Sequence, residues 1–257
     1  MLKIILGFFV PFLGTVIGAS TVFFMKDKLS NKFEQLLLGF AGGVMLSASI
    51  LSLLLPAINQ SKNIAQFAYF GVIAGFLIGI IFLIVVDITS SAINKGANKL
   101  NNQKHKKTGR MMLAITIHNI PEGMAVGVAL AGAINGLHSL TMAGAFSLAI
   151  GIAIQNFPDG AIVSLPLYAD GYTKGKAFLM GVLSGGLELV SAILAFFLTN
   201  VFASILPYIL AFASGATLFV VVKDLIPSSQ NGEHTTFATF AFAVGFILMV
   251  LLDIILN

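Results

Sequence analysis

The segment that decides how this chain folds is IHNIPEGMAV, residues 117–126, together with a near copy, IQNFPDGAIV, at residues 154–163. Each segment lies in an apolar stretch and places an amide, a proline, a carboxylate and a glycine where a lipid-buried helix would ordinarily carry Leu or Val. Charged groups at mid-membrane are costly, and they usually face a bundle interior or an ion path. The duplication of these metal-ligand residue types therefore indicates a path for an ion.

The composition is that of a membrane protein. The 257 residues are 58% hydrophobic and only 9% charged, with a mean hydropathy of +0.99. Soluble domains carry about 25% charged residues. Several apolar stretches exceed the roughly 18 residues that span a bilayer, so we predict an all-α, multi-pass membrane protein with no soluble catalytic domain. Because the sequence has no cysteine, disulfides and thiolate metal sites are excluded.

Hydropathy predicts eight transmembrane helices in a single domain, residues 1–257. We expect them at residues 4–25, 35–57, 67–92, 111–134, 140–168, 176–198, 202–227 and 236–256. The first is interpreted as a retained helix, since no Ala-x-Ala-type cleavage site accompanies it. A flexible basic loop is predicted at residues 94–110.

Lysine and arginine are concentrated in the odd-numbered loops, whereas the fourth and sixth loops contain none. Positively charged loops stay in the cytoplasm, so the loop at 94–110 is expected there and both termini outside. A nucleic-acid-binding patch is the alternative interpretation of this loop, but the topology signal explains it, and no nucleic-acid partner is expected. The expected partners are the lipid bilayer and a divalent metal ion.

Two internal repeats relate helices of opposite direction. The first is the motif pair at 117–126 and 154–163. The second pairs FAGGVML, residues 40–46, with FASGATL, residues 212–218, each followed by a proline. Chance similarity between apolar, glycine-rich segments is the alternative for this second pair. Such inverted repeats are typical of secondary transporters with a mid-membrane site, and they predict a 3+2+3 architecture.

The motifs place candidate metal ligands on shared helix faces, because residues three and four apart lie on one side of a helix. They are His118, Asn119 and Glu122 in the fourth helix, and Gln155, Asn156 and Asp159 in the fifth. Met45 and Glu188 are expected at the same depth in the second and sixth helices. Imidazole and carboxylate groups suit zinc, and a soft thioether favours ions such as cadmium. The predicted substrate is Zn²⁺, with Cd²⁺, iron and manganese as further candidates.

HNxPEG and QNxPDG resemble the signature of the ZIP (Zrt/Irt-like) metal transporters, and the resemblance covers nearly the whole chain. It is strongest to the prokaryotic and GufA-like branch, in which the loop after the third helix is short and poor in histidine. The resemblance implies a bacterial cell-membrane protein that moves metal into the cytoplasm by sliding one helix bundle against another. It also implies pairing into homodimers.

The resemblance further implies that the eight candidate ligands form one site, which in the family often holds two adjacent ions. It implies an entrance near Ser52 and an exit near Asp87, Lys223 and Asp224. The chain departs from the family pattern at three of these positions: Asp159 replaces the usual Glu, Asn156 often has Asp as its counterpart, and Lys223 replaces a His or an acidic residue. These departures concern metal preference and metal number.

Three other functions compete with metal uptake. An intramembrane zinc protease requires HExxH, which the sequence lacks. A non-transporting metal-binding or sensing protein would have no need of an inverted repeat. Metal export or a passive channel remains open, since residues alone do not give direction.

Overall fold

The computed structural model describes residues 2–24, 30–62, 68–96, 103–136, 141–201 and 205–256, and within these ranges the regular structure is entirely helical. The α-helices are α1 (Leu2–Ser20), α2 (Asn31–Ala48), α3 (Leu55–Ser61), α4 (Ala68–Gly96), α5 (Gln103–Ile134), α6 (Met142–Ala169), α7 (Lys174–Val201), α8 (Leu206–Val220), α9 (Ile226–Ser229) and α10 (Thr235–Leu256). A short 3₁₀ turn, Thr21–Phe23, extends α1.

The helices agree with the eight predicted spans. Seven continuous helical segments are long and apolar enough to cross a membrane, and the described apolar part of α5, Asn119–Ile134, is a shorter eighth. The predicted loop at 94–110 is partly wrong, because α4 continues to Gly96 and α5 begins at Gln103. Hydropathy predicts only the part of a helix that lies in lipid. A polar helix end can continue beyond the lipid with its backbone hydrogen bonds intact, so hydropathy does not detect it. Residues 97–102 lie outside the described residues.

Two of the spans are interrupted helices of the same design. In the second span, α2 passes through a π-helical turn, Ser49–Leu54, into α3, which begins Leu55-Pro56. In the seventh, α8 passes through a π-helical turn, Val221–Leu225, into α9, which begins Ile226-Pro227. π turns are rare and are often found at functional sites. The interruptions therefore extend the sequence repeat between these two spans to the backbone.

Glycines bring the helices of two corresponding pairs into backbone contact. On α2 and α10, a Cβ on Gly43 would meet the carbonyl oxygen of Phe242, and a Cβ on Gly245 would meet that of Phe40. No side chain fits there, so only glycine allows this approach.

The same contacts recur between α8 and α4. A Cβ on Gly215 would meet the Phe76 carbonyl oxygen, and one on Gly79 would meet that of Phe212. Phe40 and Gly43 correspond to Phe212 and Gly215 in the predicted repeat. The repeat is thus realised in packing, and the FxxG spacing appears on all four helices.

Eight of the ten described α-helices form two groups of four. The most extensive contacts join α5 to α7 and α1 to α6 in one group, and α2 to α10 and α4 to α8 in the other. Each pair in a group has its counterpart in the repeat, in which α1, α2 and α4 correspond to α7, α8 and α10, and α5 corresponds to α6. The motif helices α5 and α6 contact both each other and the second group, through α8 and α2. The candidate site therefore lies where the two groups meet.

Candidate metal site

The candidate ligands are buried inside the bundle. The described side chains of Asn119, Glu122, Gln155, Asn156, Asp159, Glu188 and Met45 are each at most 3% exposed. They come from α5, α6, α7 and α2. Both motif helices continue through their prolines, Pro121 and Pro158. His118 belongs to α5, but its side chain lies outside the part of the chain that the structure describes.

The two motif asparagines are held in the same way. Asn119 Nδ2 donates to the carbonyl oxygen of Ser184 on α7 at 2.9 Å. Asn156 Nδ2 donates to the carbonyl oxygen of Pro11 on α1 at 3.2 Å. Ser184 and Pro11 occupy corresponding positions on α7 and α1. Gly123 of the first motif lies against the carbonyl of Glu188, four residues after Ser184. In the same way, Gly160 of the second motif lies against the carbonyl of Thr15, four residues after Pro11.

This arrangement leaves the acceptor ends of both amides available. Asn119 Oδ1 and Asn156 Oδ1 are buried and have no hydrogen-bond partner among the described residues. An unpaired buried oxygen costs about 1–3 kcal/mol, which binding to a cation would offset. The orientation of each amide thus presents oxygen, the atom that a metal ion needs.

The carboxylates are tied to the amides of the second motif. Gln155 Nε2 donates to Glu122 Oε1. Asn156 Nδ2 donates to Glu188 Oε2 at 2.7 Å, and Glu188 also interacts electrostatically with Asp159. Glu188 Oε1 has no hydrogen-bond partner within the described ranges. Two carboxylates and an amide oxygen are therefore concentrated between α6 and α7, a donor set that suits a divalent cation.

A site made of His, Asp and Glu alone is not seen among the described side chains, where no three of them form a group able to hold a metal. The described donors are mixed, with amide oxygens beside the carboxylates.

A narrow cavity with room for about one water molecule reaches this site from the side of α2 and α8. Its polar lining comes from Glu122, Gln155, Ser49 and Thr217, and Met45 contributes its thioether side chain. Thr217 was missing from the sequence-based set. The signal was available, because FASGATL aligns Thr217 with Met45 of FAGGVML.

The candidate entrance residue Ser52 lies in the first π turn. Its hydroxyl is 3.3 Å from Asp253 Oδ1 on α10 and donates to it. Asp253 was not among the predicted pathway residues. Ser52 is 8% exposed, so this polar pair lies just inside the bundle.

The candidate exit residues lie at the second π turn. Asp87 of α4 forms an ion pair with Lys223, and both side chains are partly exposed, 46% and 39%. Asp224 follows in the same turn and is also exposed. Asp224 and Ser52 occupy corresponding positions in the sequence repeat. Asp87 and Asp253 also correspond, because each lies eight residues after a glycine, Gly79 or Gly245, that makes the equivalent backbone contact. The two polar sites thus lie at opposite ends of the bundle.

Comparison with known proteins agrees with the resemblance. A sequence model of the ZIP zinc transporter family matches residues 110–253. The chain is 31% identical to zinc transporter ZIP11 of Homo sapiens, covering 97% of this chain and 96% of that protein. It is 32% identical to zinc transporter GufA of Myxococcus xanthus, covering 95% and 94% of the two chains. It is 31% identical to zinc transporter ZIPB of Bordetella bronchiseptica, covering 97% and 80%. The chain belongs to the ZIP family of zinc transporters.

Proposed function

We propose that this protein carries Zn²⁺, and with lower preference Cd²⁺, iron or manganese, across the cell membrane into the cytoplasm as a secondary transporter. One observation carries the proposal: two asparagines from helices of opposite direction are each tied by their N–H₂ groups and keep a buried oxygen without a partner. A protein that bound no cation at this depth would leave these oxygens uncompensated.

The proposed ligands divide between the two motifs. On α5 they are Asn119, Glu122 and His118, and on α6 they are Gln155, Asn156 and Asp159. Met45 and Glu188 complete the set. Glu122, Asp159 and Glu188 supply three negative charges when ionised, so one divalent ion leaves −1 and two leave +1. Either charge is tolerable at this depth, which is consistent with a site that holds one ion or two.

Movement of α1, α5, α6 and α7 against α2, α4, α8 and α10 would expose the site alternately to the two sides. The division of the contacts into these two groups supports this mechanism. In the proposed direction, an ion enters past Ser52 and Asp253 and leaves past Asp87 and Asp224. Because positively charged loops stay in the cytoplasm, we expect the second end there and both termini outside. The chain is proposed to act as a single transmembrane domain, in a bacterial cell membrane and as a homodimer.

The decisive test is zinc flux into proteoliposomes that contain a fluorescent zinc indicator. Glu122→Gln combined with Asp159→Asn removes two of the three charges and should abolish uptake. Glu233→Gln, a change of an exposed loop carboxylate, is the matched control and should leave uptake intact. Uptake that survives the double substitution would overturn the site assignment. Wild-type protein that retains zinc without moving it would instead indicate a sensing or storage role.

Direction is tested separately. Vesicles are sorted by the accessibility of a protease site inserted next to Asp170, in the fifth loop between α6 and α7. Uptake in vesicles with that loop inside supports import, whereas uptake only in the reverse orientation indicates export.

A further inference from the structure

We infer that Thr217 sets the metal preference of the transport site: its hydroxyl faces the ion opposite the Met45 thioether and favours harder ions over softer ones. The inference rests on the proposed transport function. It adds a residue that lies outside both ion-binding motifs.

The position of Thr217 is the first argument. Thr217 lines the same cavity as Met45, Glu122 and Gln155, although it comes from a different span than all three. It is only 6% exposed, so it lies inside the bundle. An ion that enters the cavity beside Glu122 therefore meets a side chain of α8 as well as one of α2.

The repeat is the second argument. Met45 and Thr217 occupy equivalent places in FAGGVML and FASGATL, and the glycines two residues before them, Gly43 and Gly215, make equivalent backbone contacts. Met45 and Thr217 thus approach the site from the two interrupted spans. The backbone is duplicated here, but the ligand chemistry is not.

The state of the hydroxyl is the third argument. Two other threonines in these helices donate to the carbonyl four residues earlier: Thr89 donates to Val85 O at 2.6 Å and Thr199 to Ala195 O at 2.7 Å. Thr217 makes no such bond within the described residues. Its lone pairs are therefore available to a cation in the cavity that Thr217 lines.

The chemistry then follows from ligand softness. A thioether prefers soft ions, whereas a hydroxyl oxygen prefers harder ones. With one of each across the path, the site accepts Zn²⁺ while limiting its preference for Cd²⁺. Removing the hydroxyl should shift the preference toward Cd²⁺, and removing the thioether should shift it the other way.

The test is competitive uptake of Zn²⁺ and Cd²⁺ by proteoliposomes. Thr217→Val keeps the side-chain shape without the hydroxyl, and we expect the Zn²⁺/Cd²⁺ uptake ratio to fall about fivefold, the size of one lost polar contact. Thr217→Ser restores the hydroxyl and should restore the ratio. Met45→Leu should raise the ratio. Thr89→Val, which removes a hydroxyl already bonded to its own helix, is the matched control.

An unchanged ratio in Thr217→Val, with wild-type protein that transports zinc, would overturn this inference alone. Thr217→Ser that behaves like Thr217→Val would also overturn it, because the effect would then come from packing. Wild-type protein without any metal flux would overturn the proposed function, and the Thr217 inference with it. Size-exclusion profiles of the variants show whether each is folded.

Discussion

The two interrupted spans, Asn31–Ser61 and Leu206–Ser229, share a backbone design and differ in their chemistry. Both pass through a π turn just before a proline, and both pack through FxxG glycines against a parallel neighbour, α10 or α4. The first presents Met45 to the cavity and the second presents Thr217. A duplicated scaffold therefore delivers two different ligands to one place.

The polar groups at the π turns differ too. The first turn pairs a neutral hydroxyl with a carboxylate, Ser52 with Asp253. The second pairs a lysine with a carboxylate, Lys223 with Asp87. In the first span Leu51 occupies the position that corresponds to Lys223. The first pair thus contains one carboxylate and no cation, whereas the second pair is neutral and has the Asp224 carboxylate beside it. The two ends therefore differ in the kind of polar group that they present, although their backbones are alike.

The largest effect is expected where the two spans are alike. Gly43→Ala and Gly215→Ala each force a Cβ into a backbone carbonyl, of Phe242 or of Phe76, and neither carbonyl can move without its helix. Each should destabilise the protein by about 1–3 kcal/mol. Melting temperature in detergent measures this, with Gly186→Ala as control because a Cβ there meets nothing within 4 Å. Unequal effects at Gly43 and Gly215 would break the equivalence.

The next effect separates the two ends. Asp253→Asn removes the negative charge beside Ser52 and should raise the half-saturating zinc concentration, measured from outside, by about five- to tenfold. Asp87→Asn, at the other end, should leave this concentration nearly unchanged. Initial uptake rates in oriented vesicles provide the measurement. A larger effect of Asp87→Asn would reverse the assignment of the two ends.

A smaller effect is expected where the two spans touch. Ser49 Oγ donates to Ser214 O, and Ser214 Oγ donates to Ser49 O, both at 3.0 Å. This pair of hydrogen bonds joins α8 to the start of the first π turn. The corresponding positions, Val221 and Gly42, carry no hydroxyl. A double-mutant cycle with Ser49→Ala and Ser214→Ala should give a coupling of about 0.6–1 kcal/mol in thermal stability. Additive effects of the two single substitutions would show that this pair of hydrogen bonds contributes nothing to stability.

The smallest effect on stability is expected at Lys223. Its ion pair with Asp87 is partly exposed on both sides, and such pairs contribute about 0–1 kcal/mol. Lys223→Gln should therefore hardly change the melting temperature, and raised salt should have little effect on either protein. A clear loss of stability would contradict this, and it would mean that the pair holds the second π turn against α4.

The sequence allowed the spans, the motif pair and the repeat to be predicted, because burial in lipid and polar residues at mid-membrane leave strong signals. It did not reveal the π turns, which depend on how α2 and α8 pack against their neighbours. Asp253 was missed because Ser52 lies 201 positions away in the chain, and only the packing of α10 against the first π turn joins them. The helical start of α5 at Gln103 was missed because polar residues hide helix ends from hydropathy.

Asn156 also connects a helix that supplies no ligand. Its Nδ2 group donates to Pro11 O on α1 and to Glu188 Oε2 on α7, so one amide links three helices at the depth of the site. Any shift of Glu188 toward a bound ion would change the bond between Asn156 and Glu188. The same amide group would then also change its bond to the Pro11 carbonyl oxygen. An environment-sensitive fluorophore on α1 would consequently act as an optical sensor of ion occupancy while every ligand stays intact.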